Sequence, residues 1–113
     1  MYNYATFVKR KLILYRKRPI IYTKHYIDKG LRLRRISKQK IEKNLRNPFR
    51  LGYAEKQIKT YKGFPDERYL SHFVYSNRMW LSTPLKFNHG IKVLTAYESG
   101  RDTIRKLKMK FKW

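Results

Sequence analysis

Seven carboxylates (Asp28, Glu42, Glu55, Asp66, Glu67, Glu98 and Asp102) and three histidines (His25, His72 and His89) are the chain's whole supply of general acids, general bases and metal-binding side chains. Acid–base catalysis needs two such groups within hydrogen-bond reach of one reacting centre, their pKa values set apart by their surroundings. Only Asp66 and Glu67 adjoin, and directly after Pro65 they read as the negative first turn of a helix. The histidines lie 47 and 17 residues apart, which is not the spacing of a zinc site. No Walker A loop, nucleophile elbow or dinucleotide-binding fingerprint is present. With no cysteine, disulfides and thiolate-bound metals are excluded. No enzyme is expected here, and no metal, cofactor or small-molecule substrate.

The abundant chemistry is cationic. Lys and Arg number 29 against 7 acids, a net charge of +22 over 113 residues. A free domain of this size is comfortable at a magnitude of roughly 2–8. Larger like-charge excess opposes compaction unless a polyanion neutralises it. Residues 1–50 hold 16 cations and 2 acids, residues 51–100 hold 7 and 4, and residues 101–113 hold 6 and 1. Four clusters stand out: Lys9-Arg10-Lys11, Arg16-Lys17-Arg18, Arg32 with Arg34 and Arg35, and the closing RKLKMKFKW. Lys38 and Lys40 follow the third. Lysine and arginine in bulk release counterions condensed on nucleic acid, and arginine adds forked hydrogen bonds to phosphate. These residues are the candidate RNA-binding set.

The last cluster alternates. Leu107, Met109, Phe111 and Trp113 interleave with Lys106, Lys108, Lys110 and Lys112. A strand would gather each set on its own face, leaving a lysine comb with a spacing close to that of successive phosphates. Aromatic residues make up 16% of the chain and sit among cations. Tyr22, Tyr26 and Phe49 are candidates for stacking on unpaired bases, while most of the others are expected to fill the core.

These residues need elements to place them. Tyr4, Val8, Leu12 and Tyr15 recur at helical spacing until Pro19. An extended IIYTKHY follows, and then an imperfect seam of Leu33, Ile36, Ile41 and Leu45 that Asn47-Pro48 closes. Leu51, Ala54, Ile58 and Tyr61 predict a helix capped at Gly63. FPDERYLSHFVYSN predicts a second helix, with a strand placing Tyr69, Phe73 and Tyr75 together as its alternative. After a turn at Asn88-His89-Gly90, the runs IKVLTAYE and TIRKLKMKFKW predict a hairpin. The expected fold is α+β: a small aromatic-rich module over residues 51–113 with helices and a C-terminal β-hairpin, preceded by a long basic, partly helical and partly extended RNA-threading segment over residues 1–50. No apolar run approaches the roughly 20 residues of a membrane span.

Across its whole length, and by composition and layout rather than by motif, the chain resembles a structural ribosomal protein, with the Tyr, Lys, Ile and Asn richness of organellar ribosomes. The resemblance implies a constituent of a mitochondrial ribosome in the matrix, with rRNA and neighbouring ribosomal proteins as its partners. The acid-free first 27 residues suit a retained import signal or synthesis inside the organelle. Two other classes share the charge. One is a DNA-binding nucleoid-type protein. The other is a basic accessory subunit of a mitochondrial membrane complex, docking through the Tyr4/Val8/Leu12/Tyr15 stripe.

Overall fold

The first apolar stripe folds as its spacing predicts. In the computed structural model, which describes residues 1–112 (for Tyr61 the backbone only), helix α1 (Ala5–Leu14) buries Val8 and Leu12, and Tyr4 and Tyr15 pack on the same core. Pro19 ends this stretch, and strand β1 (Ile20–Tyr22) follows. A π-helical turn (Tyr26–Leu33) leads to helix α2 (Lys38–Arg46), whose N-cap Ser37 accepts a hydrogen bond from the Lys40 amide at 3.1 Å. Ile36, Ile41 and Leu45 of the second seam are buried, whereas Leu33 is 68% exposed and belongs to no core.

The two helices expected between residues 51 and 77 are strands. β2 (Leu51–Tyr61) and β3 (Phe64–Ser76) form a long antiparallel hairpin, followed by β4 (Met79–Phe87). The helix-like spacing of Leu51 and Ala54 has a local cause. The register slips between Leu51 and Tyr53, and this bulge shifts the phase so that both Leu51 and Ala54 face inward. Gly63 does not cap a helix. It forms the hairpin turn with Lys62, both at positive φ (80° and 49°), the combination a two-residue type I′ connection requires. In β3 the strand alternative holds: Tyr69 and Phe73 lie buried on one face, with Tyr75 partly buried beside them.

The remaining correction is at the C-terminus. IKVLTAYE yields two three-residue strands, β5 (Ile91–Val93) and β6 (Tyr97–Ser99), that share one edge of β4. They part opposite Pro84, which has no amide hydrogen for a ladder bond at that point. The Thr83 hydroxyl bonds the Thr95 carbonyl across the gap at 2.7 Å. The final run is helix α3 (Arg101–Lys110), so there is no C-terminal hairpin. The sequence also carries a helical signal there, since Ile104, Leu107 and Phe111 sit three and four apart behind a Gly100 N-cap and Asp102. Met109, which only the strand reading would bury, is 69% exposed.

Together the strands make a six-stranded mixed sheet of order β1-β5-β4-β3-β2, with β6 also on β4. The basic first half is part of this domain rather than an extension preceding it. β1 pairs in parallel with β5, and the Asn3 side chain caps the outer edge of β2 by accepting from the Ala54 amide at 3.0 Å and donating to the Gly52 carbonyl at 2.9 Å. On one face of the sheet, α1, the π-helical turn and α2 enclose a core that includes Tyr26, Phe73, Leu81 and Leu85. On the other face, α3 covers only the end that carries Trp80, placing Phe111 against Tyr53 and His72.

The parallel seam leaves no room for a side chain at Gly90. A Cβ there would meet the Pro19 carbonyl oxygen at 2.5 Å, and the Ile91 amide already bonds that oxygen at 2.9 Å. Gly90→Ala is expected to destabilise the protein by about 1–3 kcal/mol, the cost of overpacking, and to lower Tm by several degrees. An unchanged thermal melt at fixed salt would show that β1 is not seated on β5.

Candidate nucleic-acid interface

Each expected phosphate ligand can now be placed. In α1, Arg10 is exposed and Lys9 half-buried, while Lys11 lies over the rings of Phe7 and Tyr15 at 5.7 and 5.9 Å. Arg16, Lys17 and Arg18 are exposed in the turn after α1, and that turn is braced. Arg46, at the end of α2, donates to the carbonyls of Arg16 and Arg18 at 2.6 and 3.0 Å. Four cations thereby converge on one corner. Arg46 lies outside the candidate set, and its position in the last turn of α2 gives no sequence signal of this bracing.

The third cluster is divided in role. Arg32 is exposed, with Asp28 3.9 Å away, and Arg35 is exposed in the left-handed region at φ 57°. Arg34 is engaged internally: it donates to the Thr95 hydroxyl and the Ala96 carbonyl, both at 3.1 Å, and lies over the Tyr97 ring. Lys38 sits over Tyr22 at 5.0 Å, and Lys40 is paired with Glu98 at 3.2 Å. Arg34 and Lys40 therefore brace the fold more than they reach outward.

The comb does not exist as one face. On α3, Lys106 and Lys110 are exposed one turn apart, Lys108 turns toward Asn77 and donates to its Oδ1 at 3.3 Å, and Lys112 is exposed beyond the helix end. The backbone-tracking geometry expected of a strand is thereby overturned, although α3 remains a cationic surface. Trp113 lies outside the described residues.

Of the stacking candidates, Phe49 is 66% exposed beside the Arg50 guanidinium, 5.0 Å from its ring, and it presents a free aromatic surface. Tyr22 is half-buried and donates to Glu42 at 2.9 Å, and burial followed by that bond raises its phenol pKa. Tyr26 is fully buried and donates to the Ile36 carbonyl at 2.6 Å, so its ring offers no face to a base. Tyr26 holds the core; it is not a stacking residue.

A cluster outside the expected set forms on the second face of the sheet. Asp66 is held between Lys86 and Arg68, the latter 2.9 Å away, and these partners hold its carboxyl below the usual range. Lys59 stands opposite Asp66 in the register, and Lys92 opposite Lys86. These residues are isolated in sequence, and only strand pairing gathers them.

Beneath α3 lies a second polar feature. His72 Nδ1 and Ser82 Oγ are 2.7 Å apart, both residues fully buried, and neither His72 Nε2 nor Trp80 Nε1 has a hydrogen-bond partner among the described residues. Among the described residues no acid is hydrogen-bonded to this pair. The described residues contain no group of three or more His, Cys, Asp or Glu that could hold a metal ion. They contain no helix long and apolar enough to cross a membrane. Val8 and Leu12, central to the stripe expected to dock on a membrane, are buried in the core instead.

Burial, with Lys110 nearby, pushes the His72 pKa down from 6.5 to about 4. The folded ring stays neutral over a range in which the unfolded ring is protonated, so this contribution to stability is intact above pH 6.5 and is lost as the pH falls toward 4. Denaturant titration is expected to show a loss of about 1–2 kcal/mol between pH 7.5 and 5, and His72→Gln to remove most of that difference. An equal pH dependence in the variant would assign the loss to other groups.

Searches against protein families, curated proteins and solved structures find nothing that matches this chain.

Proposed function

We propose that this protein is a structural constituent of a ribosome, a mitochondrial one in the matrix, and that it stabilises rRNA by neutralising phosphates while bracing neighbouring ribosomal proteins. One observation carries the reading. Arg10, Arg16, Lys17, Arg18, Arg35, Lys106, Lys110 and Lys112 are exposed, and none has an acidic partner within 4 Å among the described residues. Seven acids cannot offset 29 cations, so the compensating charge has to come from outside. A folded nucleic acid supplies it at one phosphate per nucleotide and releases its own counterions in exchange.

The corner built from Arg16, Lys17, Arg18 and Arg46 is the first contact expected. Its backbone is fixed by Arg46, so less ordering entropy is lost when phosphate arrives. The α3 surface supplies a second patch, and Phe49 beside Arg50 an aromatic surface for an unpaired base.

Gradient sedimentation of the native protein tests the reading. Co-migration with ribosomal particles that RNase disperses is the expected outcome. Co-migration with membranes or with DNA that persists after RNase would replace it with the membrane-subunit or nucleoid alternative. In binding titrations over several salt concentrations, replacing Arg16, Lys17 and Arg18 by Gln is expected to reduce the slope of log affinity against log salt by about 2–3, close to one for each phosphate no longer neutralised. An unchanged slope would remove this corner from the interface.

A further inference from the structure

The two faces of the sheet are treated unequally. Helices and the π-helical turn cover the first face except toward the β2–β3 hairpin tip, where Ile58 is exposed, while α3 covers only one end of the second. The rest of the second face is open and concave. A recess of about 540 Å3 lies between the tip of the β2–β3 hairpin and Lys86, and another of about 410 Å3 continues past Gln57, Pro84 and Leu94, with Lys59 and Arg68 lining both.

Strand alternation sets what faces this channel. Phe64, Asp66 and Arg68 project from β3 on the same side, with Lys59 across from Asp66 and Lys86 from β4, and Lys92 of β5 extends the same face beyond the recesses, opposite Lys86 in the ladder. Like charges directly opposite in a ladder, as Lys86 and Lys92 are, destabilise a sheet. Asp66 relieves only part of this, because its one charge is shared between Lys86 and Arg68 on the channel floor, where its side chain is 12% exposed. The arrangement fixes cations in position and leaves positive charge in excess. At the rim, Phe64 is 75% exposed, an aromatic ring beside that charge.

We infer that this open half of the sheet binds an unpaired RNA strand, with Lys59, Arg68, Lys86 and Lys92 on its phosphates and Phe64 stacked on a base. The proposal rests on the RNA-binding reading above and adds to it a separate, single-strand-selective site on the sheet. Recesses of this size accept small ligands of nucleotide dimensions. A duplex presents its bases already stacked and paired, so it offers none to Phe64. Stacking on an aromatic ring together with a cationic track is the mode by which proteins hold single strands with little preference for sequence.

NMR titration of the full chain with a decamer of oligouridylate, and separately with a blunt RNA duplex of equal phosphate number, tests this site. The oligouridylate is expected to shift the amides of β2, β3 and β4 around Gln57, Lys59 and Arg68, and the duplex to leave them unmoved. Phe64→Ala, at an exposed hairpin tip, is expected to weaken oligouridylate binding by roughly tenfold. Lys92→Gln is expected to lower its salt slope by about one. Ile58→Ala, an exposed residue on the opposite face of β2, serves as the control and is expected to change neither. Wild-type affinity and salt slope in both channel variants, or shifts confined to α1 and α3, would overturn the site. Duplex binding without any oligouridylate binding would overturn it and leave the rRNA reading standing, whereas failure of both RNAs to bind would remove both.

Discussion

Repulsion among its own cations is the constraint under which this protein folds. A net +22 is confined within a radius of gyration of 13.6 Å, close to the roughly 13 Å usual for a chain of this length. The molecule is not swollen, so short-range forces outweigh the long-range one. The apolar core on one face of the sheet and the ladder of the long β2–β3–β4 meander provide those forces without requiring charge balance. Many cations stand on exposed surface, where salt at physiological strength screens them beyond about 8 Å. Others lay their stems or planes on aromatic rings, as Lys11, Lys38 and Arg50 do. The high aromatic content is thus partly explained inside the fold: Tyr and Phe serve as seats for cations as well as core filler.

What can be read from the sequence follows from how local each signal is. α1 is legible because its stripe, its length and Pro19 agree and no neighbour is needed to interpret them. α2 is legible in its core positions and in its stop at Asn47-Pro48. β2 misleads because a bulge at Gly52 converts an alternating strand into apparent helical spacing, and a bulge depends on the partner strand. The C-terminal run misleads for a different reason. Alternation at Leu107, Met109 and Phe111 competes with the helical set Ile104, Leu107 and Phe111, and the helix wins because Tyr53, His72 and Trp80 offer a place to bury that set. The surface that decides the matter belongs to β2, β3 and β4, far from α3 in sequence.

The candidate interface shows the same division. Clustered cations are visible as clusters, but composition cannot separate those that face outward from those the fold consumes. Arg34 and Arg35 are exposed neighbours of the same charge; one is tied by hydrogen bonds to Thr95 and Ala96, and the other stands at positive φ. Conversely, Lys59, Arg68, Lys86 and Lys92 are scattered among ordinary strand residues and become a cluster only through the register of four strands. Tyr26 illustrates the limit for aromatics, since nothing in IIYTKHY distinguishes the ring that fills the core from the ring beside it.

The use made of the few acids completes the physical picture. Glu98 holds Lys40, Glu67 holds Lys56, and Asp66 holds both Arg68 and Lys86. The pairs of Glu98 and Glu67, whose carboxylates are exposed, add little to stability, at most about 1 kcal/mol each. Their greater effect is on position, since a lysine or arginine fixed by a neighbour has less freedom left to lose when it meets a phosphate. Acids used in this way orient charge without cancelling the total. On the proposed reading a polyanion relieves the remaining excess, and any such partner that prefers the folded chain stabilises it in proportion to the logarithm of its concentration over Kd. On that reading folding and binding are two sides of one electrostatic balance, in which the core fixes the shape and the proposed partner removes the repulsion that the shape tolerates.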